Sequence, residues 1–145
     1  MAANTRFVTA IHALVILALE PASLATSDDV ADALKTNPVV IRRVFSHLRQ
    51  AGLIESHKGP NGGSRLARPP KEITLAAIYR AVESEPLLTA TLSSSATGNK
   101  AGNKAGNKLA GTLEEVFRRT QRAVEKELEE TTLNDLAKRM ARKAK

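Results

Sequence analysis

One stretch, residues 35–52, constrains this chain more than any other. Ile41, Val44, Phe45 and Leu48 fall at i, i+3, i+4 and i+7, the spacing that puts four side chains on one face of a helix. Asn37 is a strong N-cap, and Pro38 suits the first helical position, where its missing N–H costs nothing. Gly52 stands where a left-handed residue ends such a helix. The opposite face carries Val39, Arg42, Arg43, Ser46 and Gln50. No acidic residue lies between Lys35 and Gly52, whereas Lys35, Arg42, Arg43 and Arg49 are positive. A helix this short needs neighbours to bury its apolar side, and its other side is cationic or neutral throughout.

The neighbours are legible on both sides. Phe7, Ile11, Leu14, Val15 and Ala18 keep helical spacing over residues 5–19, and Pro21 ends that helix. Arg6 before this apolar run, with small residues at 22–25, also sketches a secretory signal; a single basic residue, His12 within the run and the helical spacing favour a core helix. Ser27 is the expected cap of a second helix, with Asp28 and Asp29 in its first turn and Val30, Ala31 and Leu34 on its apolar face. After Gly52, residues 53–58 look like a strand, 59–63 carry turn chemistry with Asn61-Gly62 as a hairpin signal, and 64–67 return before Pro69-Pro70. Thr74 caps a fourth helix over about 75–83. Helix, helix, tight turn, helix and glycine-tipped hairpin make a winged helix-turn-helix: a mainly α fold with a small β-hairpin.

The rest of the chain differs in kind. Gly-Asn-Lys recurs at 98–100, 102–104 and 106–108, and residues 93–111 read as a flexible, positively charged loop, natural or substituted. A long helix is expected over 112–130, with Leu113, Val116, Phe117, Thr120, Val124 and Leu128 as its stripe. Thr132 and Asp135 resemble a capping box that opens a last helix containing Leu133, Leu136, Ala137 and Met140, before a basic tail at 138–145. The expected division is a DNA-binding domain at 1–92, the loop at 93–111 and a helical dimerisation region at 112–145. The stripe needs a hydrophobic partner, which a second copy supplies by two-fold symmetry.

Composition narrows the function. A net charge of +7 and a pI near 10.1 call for an acidic partner, nucleic acid before an anionic membrane, since no apolar run reaches the length of a membrane span. The absence of cysteine excludes disulfides, thiolate metal sites and cysteine nucleophiles, and permits a reducing compartment; the expected location is the cytoplasm. His12, His47 and His57 lie on three separate elements without ligand spacing, so neither metal nor cofactor is expected. Ser93-Ser94-Ser95 lacks a nucleophile elbow, and no acid–base constellation marks an enzyme. Glu114, Glu115, Glu125, Glu127, Glu129 and Glu130 interleave with arginine and lysine as a solvated helix face does. An arginine fork on a helix matches guanine O6 and N7 in a major groove. Lys58 before the hairpin turn suits a minor groove, with Asn61 at the tip. The expected partner is double-stranded DNA, bound by a homodimer acting as a repressor on a pseudo-palindrome. A winged-helix module whose basic face meets an acidic protein is the alternative, and the residues leave any effector, protein or small molecule, unspecified.

Thr36-Asn37-Pro38-Val39-Val40-Ile41-Arg42-Arg43, Leu48-Arg49-Gln50-Ala51-Gly52-Leu53-Ile54, Lys58-Gly59-Pro60-Asn61-Gly62-Gly63 and Leu66-Ala67-Arg68-Pro69-Pro70 together resemble the Rrf2 family of bacterial transcription regulators. The likeness covers residues 5–92 best and looks closest to the YwnA-like branch that has no iron–sulfur cluster. It implies a two-fold dimer built by crossing the long C-terminal helices. It also implies groove contacts from Asn37, Val39, Val40, Arg42 and Arg43 and a wing contact from Lys58, where the family often has arginine. Cluster-binding members place cysteines before the long helix; here the Gly-Asn-Lys repeat stands there instead.

Overall fold

Helix α1 (Thr5–Leu19) is the hub on which the other elements pack. A computed structural model describes residues 5–88 and 100–143. Ala10, Ala13, Leu14, Val15 and Leu17 are all buried, so α1 is covered on a wider face than the expected stripe, of which Phe7, Ile11 and Ala18 are only half-buried. Such a position is that of a core helix. Arg6, the one basic residue of the signal-like reading, donates from its guanidinium to the Val82 carbonyl at 3.0 Å.

Helix α2 (Ser27–Leu34) begins one residue earlier in its capping than expected. Thr26, not Ser27, is the N-cap. Its hydroxyl accepts from the Asp29 N–H at 3.0 Å, and the Asp29 carboxylate accepts from the Thr26 N–H at 2.9 Å. The backbone bond from Thr26 and then its hydroxyl hold the Asp29 carboxyl below its ordinary range. The cap therefore stabilises the fold above the unfolded carboxyl's pKa and is lost as pH falls through the lowered folded value. Lys35 follows in the left-handed region (φ 54°), making the tight turn into α3 (Pro38–Gln50). There Asn37 caps as expected, its side-chain oxygen accepting from the Val39 N–H at 2.9 Å. Ile41, Val44, Phe45 and Leu48 are buried together, and Gly52 takes φ 74°.

Strands β1 (Ile54–His57) and β2 (Gly63–Leu66) pair antiparallel, with Ile54 opposite Leu66 and His57 opposite Gly63. A third piece of sheet was not legible in the sequence. Ala25 bridges to Ser64, with N–H···O distances of 2.8 and 3.0 Å, and so ties the α1–α2 connection to the wing. After a single 3-10 turn (Pro70–Glu72), α4 (Leu75–Val82) starts at Thr74, whose hydroxyl accepts from the Ala77 N–H at 3.1 Å.

The C-terminal third departs from expectation. Helix α5 runs Lys100–Glu129, so the loop expected over 93–111 does not hold from Lys100 onward; residues 93–99 lie outside those described. Each interior glycine costs a helix about 1 kcal/mol relative to alanine. Extension of an existing helix, however, adds one hydrogen bond per residue without a new nucleus, and Ala and Lys between the glycines are good helix formers. The chain also returns to its own N-terminal elements. α4 lies against the 121–129 half of α5: Gln121 donates to the Tyr79 hydroxyl at 3.0 Å, and Arg80 donates to Glu125 at 2.8 Å and to Glu129 at 2.9 Å. Helix α6 (Leu133–Lys143) packs on α1 and carries Leu133 fully buried into the core. The N-terminal elements thus supply surface to both C-terminal helices, so a second copy is not the sole apolar partner of this region.

Candidate nucleic-acid interface

The expected groove-facing residues fall on one side of α3, because burial of Ile41, Val44, Phe45 and Leu48 turns the opposite side outward. Asn37, Arg42 and Arg43 are exposed, Val39 is 43% exposed, and Val40 and Ser46 are half-buried. Asn37 spends its side-chain oxygen on the cap, which leaves its amide NH2 as the group able to donate elsewhere. An apolar residue standing in solvent near the start of a cationic helix suits contact with a thymine methyl.

Two neighbours alter the electrostatics read from the sequence. Asp28, at the start of α2, comes within 3.8 Å of Arg42, so the cationic face is not free of acid once the chain is folded. Both side chains are well exposed, and such a pair contributes about 0–1 kcal/mol. An exposed pair this weak leaves the Arg42 guanidinium available to another acceptor. Arg49, counted among the cations of this helix, is engaged elsewhere. Its Nε donates to Ser56 Oγ at 3.0 Å, and Ser56 Oγ lies 2.9 Å from Ser64 Oγ on the returning strand. Among the described residues Ser64 is the one polar side chain that is buried, and its backbone carries the bridge to Ala25. This chain of bonds joins α3, both wing strands and the segment before α2.

The wing projects Lys58 and Asn61, both exposed, from the loop between β1 and β2. Cross-strand Glu55 accepts from Arg65 Nε at 2.7 Å and lies 3.4 Å from His57. The Arg65 bond first, and His57 second, hold the Glu55 carboxyl below its usual range. The wing's net charge near its base is thus partly cancelled, while Lys58 at the loop stays apart from that cluster. The turn is not the expected Asn-Gly centre. Gly62 N–H donates to the Gly59 carbonyl at 2.9 Å, placing Pro60 and Asn61 at the central positions, and Asn61 keeps a negative φ. Gly62 is required for another reason: a Cβ there would lie 2.1 Å from the His57 carbonyl oxygen. Gly62→Ala is expected to cost about 1–3 kcal/mol in urea unfolding, because backbone atoms cannot give way as a side chain can. A variant as stable as wild type would show that the turn closes differently.

Of the expected dimerisation residues, Leu113, Phe117, Val124 and Leu128 are half-buried, Val116 is 39% exposed and Thr120 is exposed, its hydroxyl donating to the Val116 carbonyl at 2.9 Å. No described residue of α5 is fully buried in the single chain. Leu109, one turn before the stripe and not singled out in the sequence, is 60% exposed.

The Rrf2 model, described as an iron-dependent transcriptional regulator, matches residues 3–139. YwnA of Bacillus subtilis (strain 168), which carries the name of an HTH-type transcriptional regulator, is 34% identical over 133 residues, covering 92% of this chain and 95% of its own. A crystal structure described as that of a DNA binding protein superposes with a TM-score of 0.68 at 32% identity, over 91% of this chain and 98% of that one. The fold is also that of CymR, the global cysteine regulator of B. subtilis, with a TM-score of 0.65 at 24% identity over 92% and 94% of the two chains. The iron in the family description finds no matching donors here. The chain has no cysteine, and among the described residues no three His, Asp or Glu side chains are grouped as a metal site would need. A cysteine-ligated cluster does not fit this sequence.

Proposed function

Because this chain belongs to the Rrf2 family of transcriptional regulators, we propose that it acts as a homodimeric repressor that binds a pseudo-palindromic operator. The observation that carries the reading is α3: one face fully buried, the other presenting Arg42 and Arg43 to solvent from a helix capped by Asn37. Arg42 and Arg43 read base edges or clamp phosphates in the major groove. Val39, Val40, Asn37 and Ser46 complete the contact, and Lys58 with Asn61 follows the adjacent minor groove or backbone.

The dimer joins through α5. Its 121–129 half is engaged with α4, so the surface offered to a second copy is centred on Leu113, Val116 and Phe117, with Val124 and Leu128 at its edge. Two recognition helices related by a two-fold axis would sit about 34 Å apart, one turn of DNA. A dimer seated across a promoter represses by occupancy alone, and chromosomal DNA as partner places its action in the cytoplasm.

Replacing Arg42 or Arg43 by alanine is expected to weaken operator binding by about 1–3 kcal/mol where the arginine reads a base, and to flatten sequence preference. Fluorescence anisotropy at fixed salt measures it. Unchanged affinity in both variants would remove α3 from the recognition role.

A further inference from the structure

We infer that the groove between α1 and α6 binds a small amphipathic anion, an apolar chain ending in a carboxylate. The groove has a volume of about 730 Å³, within the range of sites that take a single small ligand. Its walls are apolar: Ile11, Val15 and Ile16 from α1, Leu34 from the end of α2, and Leu136 from α6. Leu19 and Met140 also line it, each about half exposed. The polar residues along the groove are Arg139, Arg142 and His12, with no acid among the lining residues. Neither arginine forms an ion pair among the described residues. Asp135, one turn before Arg139, caps Thr132, whose N–H donates to it at 2.9 Å. The cap first, and the nearby charges of Arg139 and Lys138 after it, hold its carboxyl below the usual range, with no direct ion pair to Arg139 among the described residues. An apolar bed edged by two arginines, neither in a direct ion pair among the described residues, is complementary to a hydrocarbon chain with an anionic head, since guanidinium groups pair with carboxylates at short range.

The groove also touches the DNA-reading machinery. Leu34 is the last residue of α2, directly before the left-handed Lys35 and the Asn37 cap of α3. A ligand wedged between α1, α6 and Leu34 therefore acts on the turn that orients the recognition helix. The site itself stands without the DNA-binding reading; its coupling to the operator rests on that reading.

Isothermal titration of the full chain with octanoate, and with 1-octanol as the uncharged control, tests the site. Saturable binding of one octanoate per chain is expected. The double variant Arg139→Gln/Arg142→Gln should weaken octanoate about tenfold and leave octanol unchanged. Leu19→Trp, a surface substitution at the groove, should weaken both. No saturable binding, or equal binding of acid and alcohol that ignores the arginines, overturns the proposal. So does octanoate binding that appears only as a dimer dissociates, for the groove then belongs to a second copy. Operator titration without and with saturating octanoate is the separate arm: a shift supports the coupling, and no shift with intact octanoate binding overturns the coupling alone. Failure of the ligand-free protein to bind any operator is the failure of the DNA-binding reading.

Discussion

Leu133→Ala is expected to destabilise the protein by about 2–5 kcal/mol, the range for truncating a fully buried leucine whose surroundings relax only in part. Leu133 is the first residue of α6 and has no exposed surface. Its N–H donates to the Ile73 carbonyl at 2.7 Å, and Leu75 N–H donates to the Thr131 carbonyl at 2.9 Å, so the segment entering α6 is laced to the segment entering α4. Thr132 and Asp135 complete the reciprocal cap at 2.9 and 3.2 Å. The side chain thus enters the core beside α1 on a backbone that has no freedom to retreat, and the cavity stays open. Urea unfolding monitored by circular dichroism gives the loss directly, as a lower midpoint at unchanged slope. A loss under about 1 kcal/mol, the scale of surface substitutions, would mean that α6 is an appendage and not a wall of the core.

Phe117→Asp is expected to abolish dimerisation and operator affinity together. In the single chain Phe117 is half-buried, and Leu113, Val116 and Leu109 around it leave apolar surface in water. Covering a phenylalanine fully contributes about 1.5–3 kcal/mol. Putting an unpaired carboxylate in its place reverses the sign of that contribution, and two-fold symmetry applies it twice. A monomer holds one recognition helix, so loss of the second half-site removes most of the affinity for a full operator. Sedimentation equilibrium beside operator titration reads both quantities. A Phe117→Asp protein that remains dimeric and fully active would place the interface elsewhere.

Local signals carried much of this molecule. The caps at Asn37, Thr74 and Thr132, the buried stripe of α3 and the hairpin after Gly52 are all set by residues within a few positions of one another. Even the error at α2 is local: Thr26 and Asp29 form the box, three residues apart, and the neighbouring Ser27 offered the same hydroxyl. What was not legible depends on partners distant in sequence. Nothing near Ala25 marks it as a strand, because its bridge is to Ser64. Nothing near Arg42 announces Asp28, and nothing near Arg49 tells that its guanidinium reaches Ser56. The apolar face of the last helix was visible in Leu133, Leu136 and Met140, but that α1 receives it was not. At the start of α5, glycine content argued against a helix, while continuity with the stronger helix after Gly111 outweighs it.

Selection of bound duplexes from a random-sequence pool, at physiological salt and with competitor DNA, tests the DNA-reading role most directly. The wild-type chain should enrich one pseudo-palindrome whose half-site centres lie about one helical turn apart, roughly 34 Å. Arg42→Ala/Arg43→Ala should erase that motif while leaving weak, salt-sensitive binding. Recovery by the wild-type protein of duplexes that share no motif, bound no better than the starting pool, would contradict a sequence-reading function for α3.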